Sequence, residues 1–185
     1  MRPSKSPIVH VCALRHVPAM VERTGARHLV SAIDSDFRPA TPKTVAAERH
    51  LWLEMHDIVE GRLDATPPAR HHVHKLVQFV RDWDRREPML IHCFAGLSRS
   101  TAAAFITLCA INPDTPEEII AGALRRSSDT AVPNKLFVAL ADEELGRKGR
   151  MSAALAGMGP NRIATECVPF ALDALHANEG THRAA

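Results

Sequence analysis

Residues 88–111 constrain this chain more than any other stretch. Pro88-Met89-Leu90-Ile91 is a short apolar run that suits a buried strand. From Arg99 onward, Ser100, Thr101, Ala102, Ala103, Ala104, Phe105, Ile106, Leu108, Cys109 and Ile111 read as a largely buried helix, which Asn112-Pro113 stops. Between the two lies His92-Cys93-Phe94-Ala95-Gly96-Leu97-Ser98-Arg99. This loop joins the C-terminal end of a strand to the N-terminus of a helix. The N–H groups there have no helical partner, and the helix dipole favours negative charge. A curled loop of such donors makes an anion nest. Gly96 eases the curl, and Arg99 adds a planar fork of donors matched to phosphate oxygens.

The same field acts on Cys93. Helix N-termini and nearby cations favour the thiolate, which is the nucleophilic form. Ser100, just past the arginine, has a hydroxyl that can stabilise this thiolate when it must leave. A bare cysteine followed six positions later by arginine is weak as a signal. The other three cysteines lack even that: Cys12 meets Pro18, Cys109 meets Thr115 and Cys167 meets Asp173. Only Cys93 combines strand, glycine, hydroxyls and helix.

His-Cys-x-x-Gly-x-Ser-Arg-Ser resembles the signature loop of the cysteine-dependent protein tyrosine phosphatases, in particular the compact dual-specificity type. The likeness extends to Ile8–Leu14 with Thr24-Gly25-Ala26-Arg27-His28-Leu29-Val30, and to Val132-Pro133-Asn134-Lys135-Leu136-Phe137 with Leu140 and Glu144-Leu145. It implies that Cys93 is the nucleophile. Phe94, Ala95, Gly96, Leu97, Ser98 and Arg99 would bind the phosphate, Ser100 would assist the leaving thiolate, and His92 would support the loop from behind. The chemistry also needs an acid to protonate the leaving oxygen, which then activates water. In the family this is an aspartate upstream of the cysteine, at the start of a loop after a strand. His50–His56 reads as that strand, with Leu51, Leu53 and Met55 on one face. Asp57 follows it and is the first candidate; Asp64 is the second. The stretch between acid and cysteine is longer here than in the usual dual-specificity pattern.

The 185 residues, 45% hydrophobic and 24% charged, fit one soluble domain with a single core. We expect a single catalytic domain over 1–185, with its core at about 8–146 and a C-terminal helical extension and tail at 147–185. The expected fold is α/β: a central, mostly parallel sheet of four to five strands flanked by helices, with the phosphate loop between strand and helix. The expected order is strand 8–14, helix 17–24, strand 28–33, strand 50–56, helix 68–86 with a stripe of Val73, Leu76, Val77, Val80 and Trp83, strand 88–92 and helix 99–111. Helices opening at Thr115-Pro116-Glu117-Glu118 and over 134–145 follow, with short helices at Met151–Leu155 and Pro169–Leu175. The last ten residues read as a tail.

A net charge of +2 gives no broad nucleic-acid footprint, and no apolar stretch is long enough to span a bilayer. No secretory core follows Arg2 and Lys5. A reactive thiol without an export signal suits a reducing cytoplasm. His71, His72 and His74 read as a solvated helix face, because ligand partners at metal spacing are not evident. No metal or cofactor is expected. The partner is a phosphorylated protein or a small phosphomonoester. Within the fold, a phosphoinositide or a nucleotide or RNA 5′-phosphate is the alternative substrate. A non-catalytic phosphate-recognition module and a rhodanese-like sulfurtransferase are the alternative classes. The chain has no tyrosine, so any aromatic wall for a substrate ring must come from Phe, Trp or His.

Overall fold

Parallel strands run to a common edge, and the candidate residues collect there. A computed structural model describes residues 7–60 and 64–175. Strands β1 (Ile8–Ala13), β2 (His28–Ile33), β3 (His50–Glu54), β4 (Met89–Cys93) and β5 (Phe170–Asp173) form one sheet in the order β3-β2-β4-β1-β5. The first four are parallel, and β5 runs antiparallel to β1. The α/β sheet flanked by helices is the architecture the sequence implies.

Strand alternation divides the buried side chains between two faces. Val9, Val11, Val30, Ala32, Leu53, Met89 and Ile91 enter the larger core. There they meet α2 (Arg70–Asp82), α3 (Arg99–Ile111), α4 (Glu117–Ser127), α5 (Lys135–Glu144) and α6 (Arg150–Ala156). Leu29, Leu90 and Cys12 face the other way and pack with Val17, Met20 and Val21 of α1 (Val17–Thr24). Helix α3 is apolar nearly all round, and all of its residues except Ala110 are buried. Burying each large side chain, such as Phe105 or Ile106, contributes about 1.5–3 kcal/mol. The helix that carries Arg99 at its first position is therefore fixed on all sides.

Local signals explain most boundaries. Pro18 opens α1, and Gly25 at φ 70° closes it in the left-handed region. The stripe expected on α2 is buried as read. That helix stops at Asp82 rather than 86, because Trp83 turns extended and its indole N–H donates to the Glu87 carbonyl at 2.9 Å. Pro116 stands at the N-cap of α4, so the helix begins at Glu117 rather than at the proline. Glu117 does not simply decorate the first turn. It is buried and paired with Arg147 and Arg150, each at 3.0 Å.

The segment after residue 146 departs from the expectation. Residues 150–156 are helical, but Phe170–Asp173, read as part of a short helix, is the edge strand β5. Residues 170 and 172 are the ones turned inward, an alternation that suits a strand. Arg147 ties the start of the segment to the carbonyls of Cys109 and Pro113, and Asn112 donates to the Ala174 carbonyl at its end. Residues 176–185, read as a tail, lie outside the described residues.

Candidate active site

The loop after β4 is built by turning its carbonyls outward. The Phe94 carbonyl accepts from the Leu14 amide at 3.1 Å, Ala95 from Cys167 at 2.9 Å, and Leu97 from Val132 at 2.9 Å. The Ser98 carbonyl accepts from Ala102 at 2.9 Å, and the Cys93 carbonyl accepts from His92 Nδ1 at 3.3 Å. Among the described residues no peptide bond is cis. In a trans peptide the N–H points opposite to the preceding C=O. Tying these carbonyls outward therefore turns the amides of Phe94, Ala95, Gly96, Ser98 and Arg99 to the inside of the curl. The Gly96 amide shows the result, donating to Cys93 Sγ at 3.2 Å. Gly96 sits at φ 73°, and the loop passes so close to β1 that a Cβ there would come within 2.9 Å of the Ala13 nitrogen.

Cys93 and Arg99 are both buried, at 2% and 5% exposure. Ser100 Oγ lies 3.2 Å from Cys93 Sγ, the position needed to donate to a departing thiolate. The Arg99 guanidinium is held from one side: Nη1 donates to the Met55 carbonyl at 2.8 Å and pairs with Asp34 at 3.3 Å. Its buried Nε has no partner among the described residues. Leaving such a donor unpaired costs about 1–3 kcal/mol. An anion in the cradle is the natural acceptor for it.

Asp57 is exposed at the lip of the loop, beyond the end of β3. Its Oδ1 accepts from Ser98 Oγ at 2.6 Å and from Asn134 Nδ2 at 2.9 Å. Asn134 also caps α5 through the Phe137 amide. The loop that starts at Asp57 is closed at its base by two hydrogen bonds between His56 and Thr66. Asp64 is exposed near the far end of that loop. Thus Cys93, Arg99, Ser100, Ser98 and Asp57 come together.

Several participants had gone unread. Asp34 follows β2 and holds Arg99. Phe37, three residues further, packs edge to face on Phe94 with ring centroids 4.9 Å apart, and both rings are about half exposed (49% and 50%). The available signal was position: Leu14, Asp34, Asp57 and Cys93 each stand at or just beyond the C-terminal end of a parallel strand, where ligands of such sheets gather. Cys167, in the C-terminal extension expected only to pack on the core, places its thiol against Gly96. The histidines of α2 are not one solvated face. His71 and His74 are exposed, but His72 is buried and its Nδ1 accepts the Ala69 amide at 3.1 Å.

The chain matches the family model described as protein-tyrosine phosphatase over residues 57–123. Among curated proteins there is no match. Solved structures share the fold. The PTP-2 phosphatase of Cydia pomonella superposes with a TM-score of 0.58 at 20% identity, over 73% of this chain and 84% of that one. A mouse putative dual specificity phosphatase complexed with zinc tungstate gives 0.58 at 15% identity, over 83% and 95%. PTPMT1 in complex with PI(5)P gives 0.58 at 18% identity, over 76% and 94%. The signature loop and its cradle lie on this shared frame, and residues 57–123, which carry them, are the part of the chain that matches the protein-tyrosine phosphatase family.

Proposed function

We propose that this protein hydrolyses phosphomonoesters through a cysteinyl-phosphate intermediate, with aryl phosphates such as phosphotyrosine as its preferred substrates. The observation that carries the reading is the pairing of Cys93 with Arg99. The thiol receives the Gly96 amide and lies beside Ser100, while the arginine is pinned through Nη1 and keeps a buried Nε that has no partner among the described residues.

The substrate's three non-bridging oxygens take the loop amides and the Arg99 fork, which stabilise the charge spread over them in a loose transition state. Cys93 Sγ attacks phosphorus in line. The S–P bond forms as the ester P–O bond breaks, and Asp57 gives its proton to the leaving oxygen. Asp57, now ionised, takes a proton from water as the water oxygen attacks phosphorus. The S–P bond breaks, inorganic phosphate forms, and Ser100 donates to the released thiolate. With Oδ1 already occupied by Ser98 and Asn134, Oδ2 of Asp57 is the oxygen that carries the proton.

The exposed Phe37–Phe94 pair supports an aromatic substrate. Phe94 adjoins the nucleophile, and aromatic pairs favour offset or edge-to-face contact with a further ring. The loop positions Phe94, Ala95 and Leu97 carry no cation for additional phosphates, which disfavours polyphosphorylated lipids. The test is hydrolysis of p-nitrophenyl phosphate, phosphopeptides and phosphoinositides in the presence of chelator, with wild type and Cys93→Ser in parallel. We expect turnover of the aryl phosphate and loss of it in Cys93→Ser. Full activity in that variant would remove Cys93 from the reaction. Phosphopeptide binding without turnover would instead make the protein a recognition module.

A further inference from the structure

His92 is the last link of a buried polar row that crosses three strands. His50 on β3, Ser31 on β2 and His92 on β4 lie on the α1 side of the sheet. Ser31 Oγ is 2.6 Å from His92 Nε2 and 2.8 Å from His50 Nε2, and His50 Nδ1 is 2.8 Å from Thr41 Oγ1. At the other end, His92 Nδ1 meets the Cys93 carbonyl at 3.3 Å.

One fixed acceptor sets the direction of every proton in this row. A carbonyl only accepts, so His92 carries its proton on Nδ1. Burial pulls both His92 and His50 down to about 4, so the rings are neutral near pH 7. Arg99 acts on His92, and Arg38 together with His92 acts on His50; all of these push the same way. A neutral His92 protonated on Nδ1 has a bare Nε2, which must accept the Ser31 hydroxyl proton. Ser31 has one proton, so its oxygen accepts from His50 Nε2–H. His50 then has a bare Nδ1, which accepts from Thr41 O–H. The row reads Thr41 to His50 to Ser31 to His92 to the Cys93 carbonyl, with each group donating to the next.

We infer that Ser31, His50 and Thr41 are positioning residues for the nucleophile, acting by locking His92 in the tautomer that grips the Cys93 carbonyl. The grip matters because it orients the peptide between Cys93 and Phe94. With the carbonyl held toward His92, the Phe94 amide points the opposite way, into the curl. Without the Ser31 hydroxyl, His92 is free to move its proton to Nε2. A bare Nδ1 would then face the carbonyl oxygen, and two acceptors at that distance repel. The first peptide of the cradle would lose its fixed orientation.

The inferred role in a reaction rests on the phosphatase reading, but its test needs no turnover. Long-range ¹H–¹⁵N correlation of the histidine rings reports the tautomer directly. In wild type we expect His92 and His50 to be neutral at pH 7, with His92 protonated on Nδ1 and His50 on Nε2. The second readout is alkylation of Cys93 by iodoacetate at pH 6, followed on the Cys93 peptide by mass spectrometry. Ser31→Ala and His50→Phe are expected to slow it about tenfold, the factor that corresponds to one lost hydrogen bond. His50→Gln, whose side-chain amide can still donate to Ser31, is expected to restore most of the rate. A wild-type His92 protonated on Nε2 would overturn the inference even if no variant folds. So would folded Ser31→Ala protein with an unchanged tautomer and alkylation rate. A protein that passes both tests but hydrolyses no phosphoester would keep the row and lose the phosphatase reading.

Discussion

Ser98 and Asp57 are joined by a hydrogen bond of 2.6 Å, so the phosphate loop itself positions the candidate acid. Asn134 completes the hold at 2.9 Å from the cap of α5. A carboxyl fixed at one oxygen can present the other to a leaving group. We expect Asp57→Asn to lower kcat by about 10²–10⁴-fold, the usual effect of losing a general acid. The alkaline limb of the kcat profile should flatten, since that limb reports loss of the acid's proton. Ser98→Ala and Asn134→Ala should each cost less, because Asp57 remains but wanders. If Asp64→Asn produces the large loss and Asp57→Asn does not, the acid is Asp64.

Arg99 is expected to be irreplaceable by lysine. The guanidinium uses Nη1 on Met55 and Asp34 and still offers Nε toward an anion. An ammonium has no planar fork and cannot serve both sides at once. A hydrogen bond to a charged group contributes about 1.5–3 kcal/mol, so vanadate should bind roughly 10–100-fold more weakly to Arg99→Lys. Asp34→Ala should weaken vanadate about five- to tenfold, since the Met55 carbonyl still holds Nη1. Titration of vanadate against residual turnover measures both. Unchanged affinity in Arg99→Lys would contradict the cradle.

Local pattern marked Cys93 as the candidate nucleophile, and long-range packing supplied what surrounds it. Cys93, Gly96, Arg99 and Ser100 lie within eight residues, and the run of apolar residues on either side fixes a strand and a helix. The phosphate loop was therefore legible without a structure. Asp34, Ser31, His50, Phe37 and Asn134 were not, because each gains its role only when the parallel strands are aligned. Ser31 pairs with His92 in the β2–β4 register, 61 positions apart in sequence. The edge strand β5 was missed for a related reason. A four-residue segment such as Phe170-Ala171-Leu172-Asp173 is too short for its pattern to separate helix from strand, and pairing with β1 decides it. His72 reads with His71 and His74 as a solvated face, yet it lies beside the buried Val73, is itself buried, and its Nδ1 accepts the Ala69 amide at the start of α2.

Gly96 is expected to tolerate no side chain, and the reason can be divided between two neighbours. Its φ of 73° already penalises any other residue by about 1–2 kcal/mol. A Cβ there would lie 2.2 Å from Cys167 Sγ and 2.9 Å from both the Ala13 nitrogen and the Cys12 carbonyl carbon. Overpacking of this kind costs about 1–3 kcal/mol. Gly96→Ala should therefore lower Tm by roughly 5–15 °C. Adding Cys167→Ala removes the closest contact but leaves the β1 backbone in place. The double variant should recover only part of the loss. Full recovery would show that Cys167 alone occupies the space, and no loss in the single variant would show that the loop does not press on β1.

Acid should destabilise the fold through histidines that are neutral in the native state. Burial lowers His50, His72 and His92 to about 4 from an ordinary value of 6.5, and lowers His10 and His28 as well. Between these limits the unfolded chain binds more protons than the folded one, so unfolding gains as pH falls. The histidine contribution is complete above about pH 6.5, declines through the interval, and is gone below about pH 4. The geometry shows where protons would do damage. A proton on His72 Nδ1 meets the Ala69 N–H, and protons on His50 and His92 leave the single Ser31 hydroxyl facing two N–H groups. We expect the urea midpoint to drop from pH 7 to pH 5 at constant ionic strength. In His72→Asn, whose side-chain oxygen can accept without titrating, the drop should be smaller. A midpoint that stays level across this range would mean that the histidines keep no protons out of the folded state.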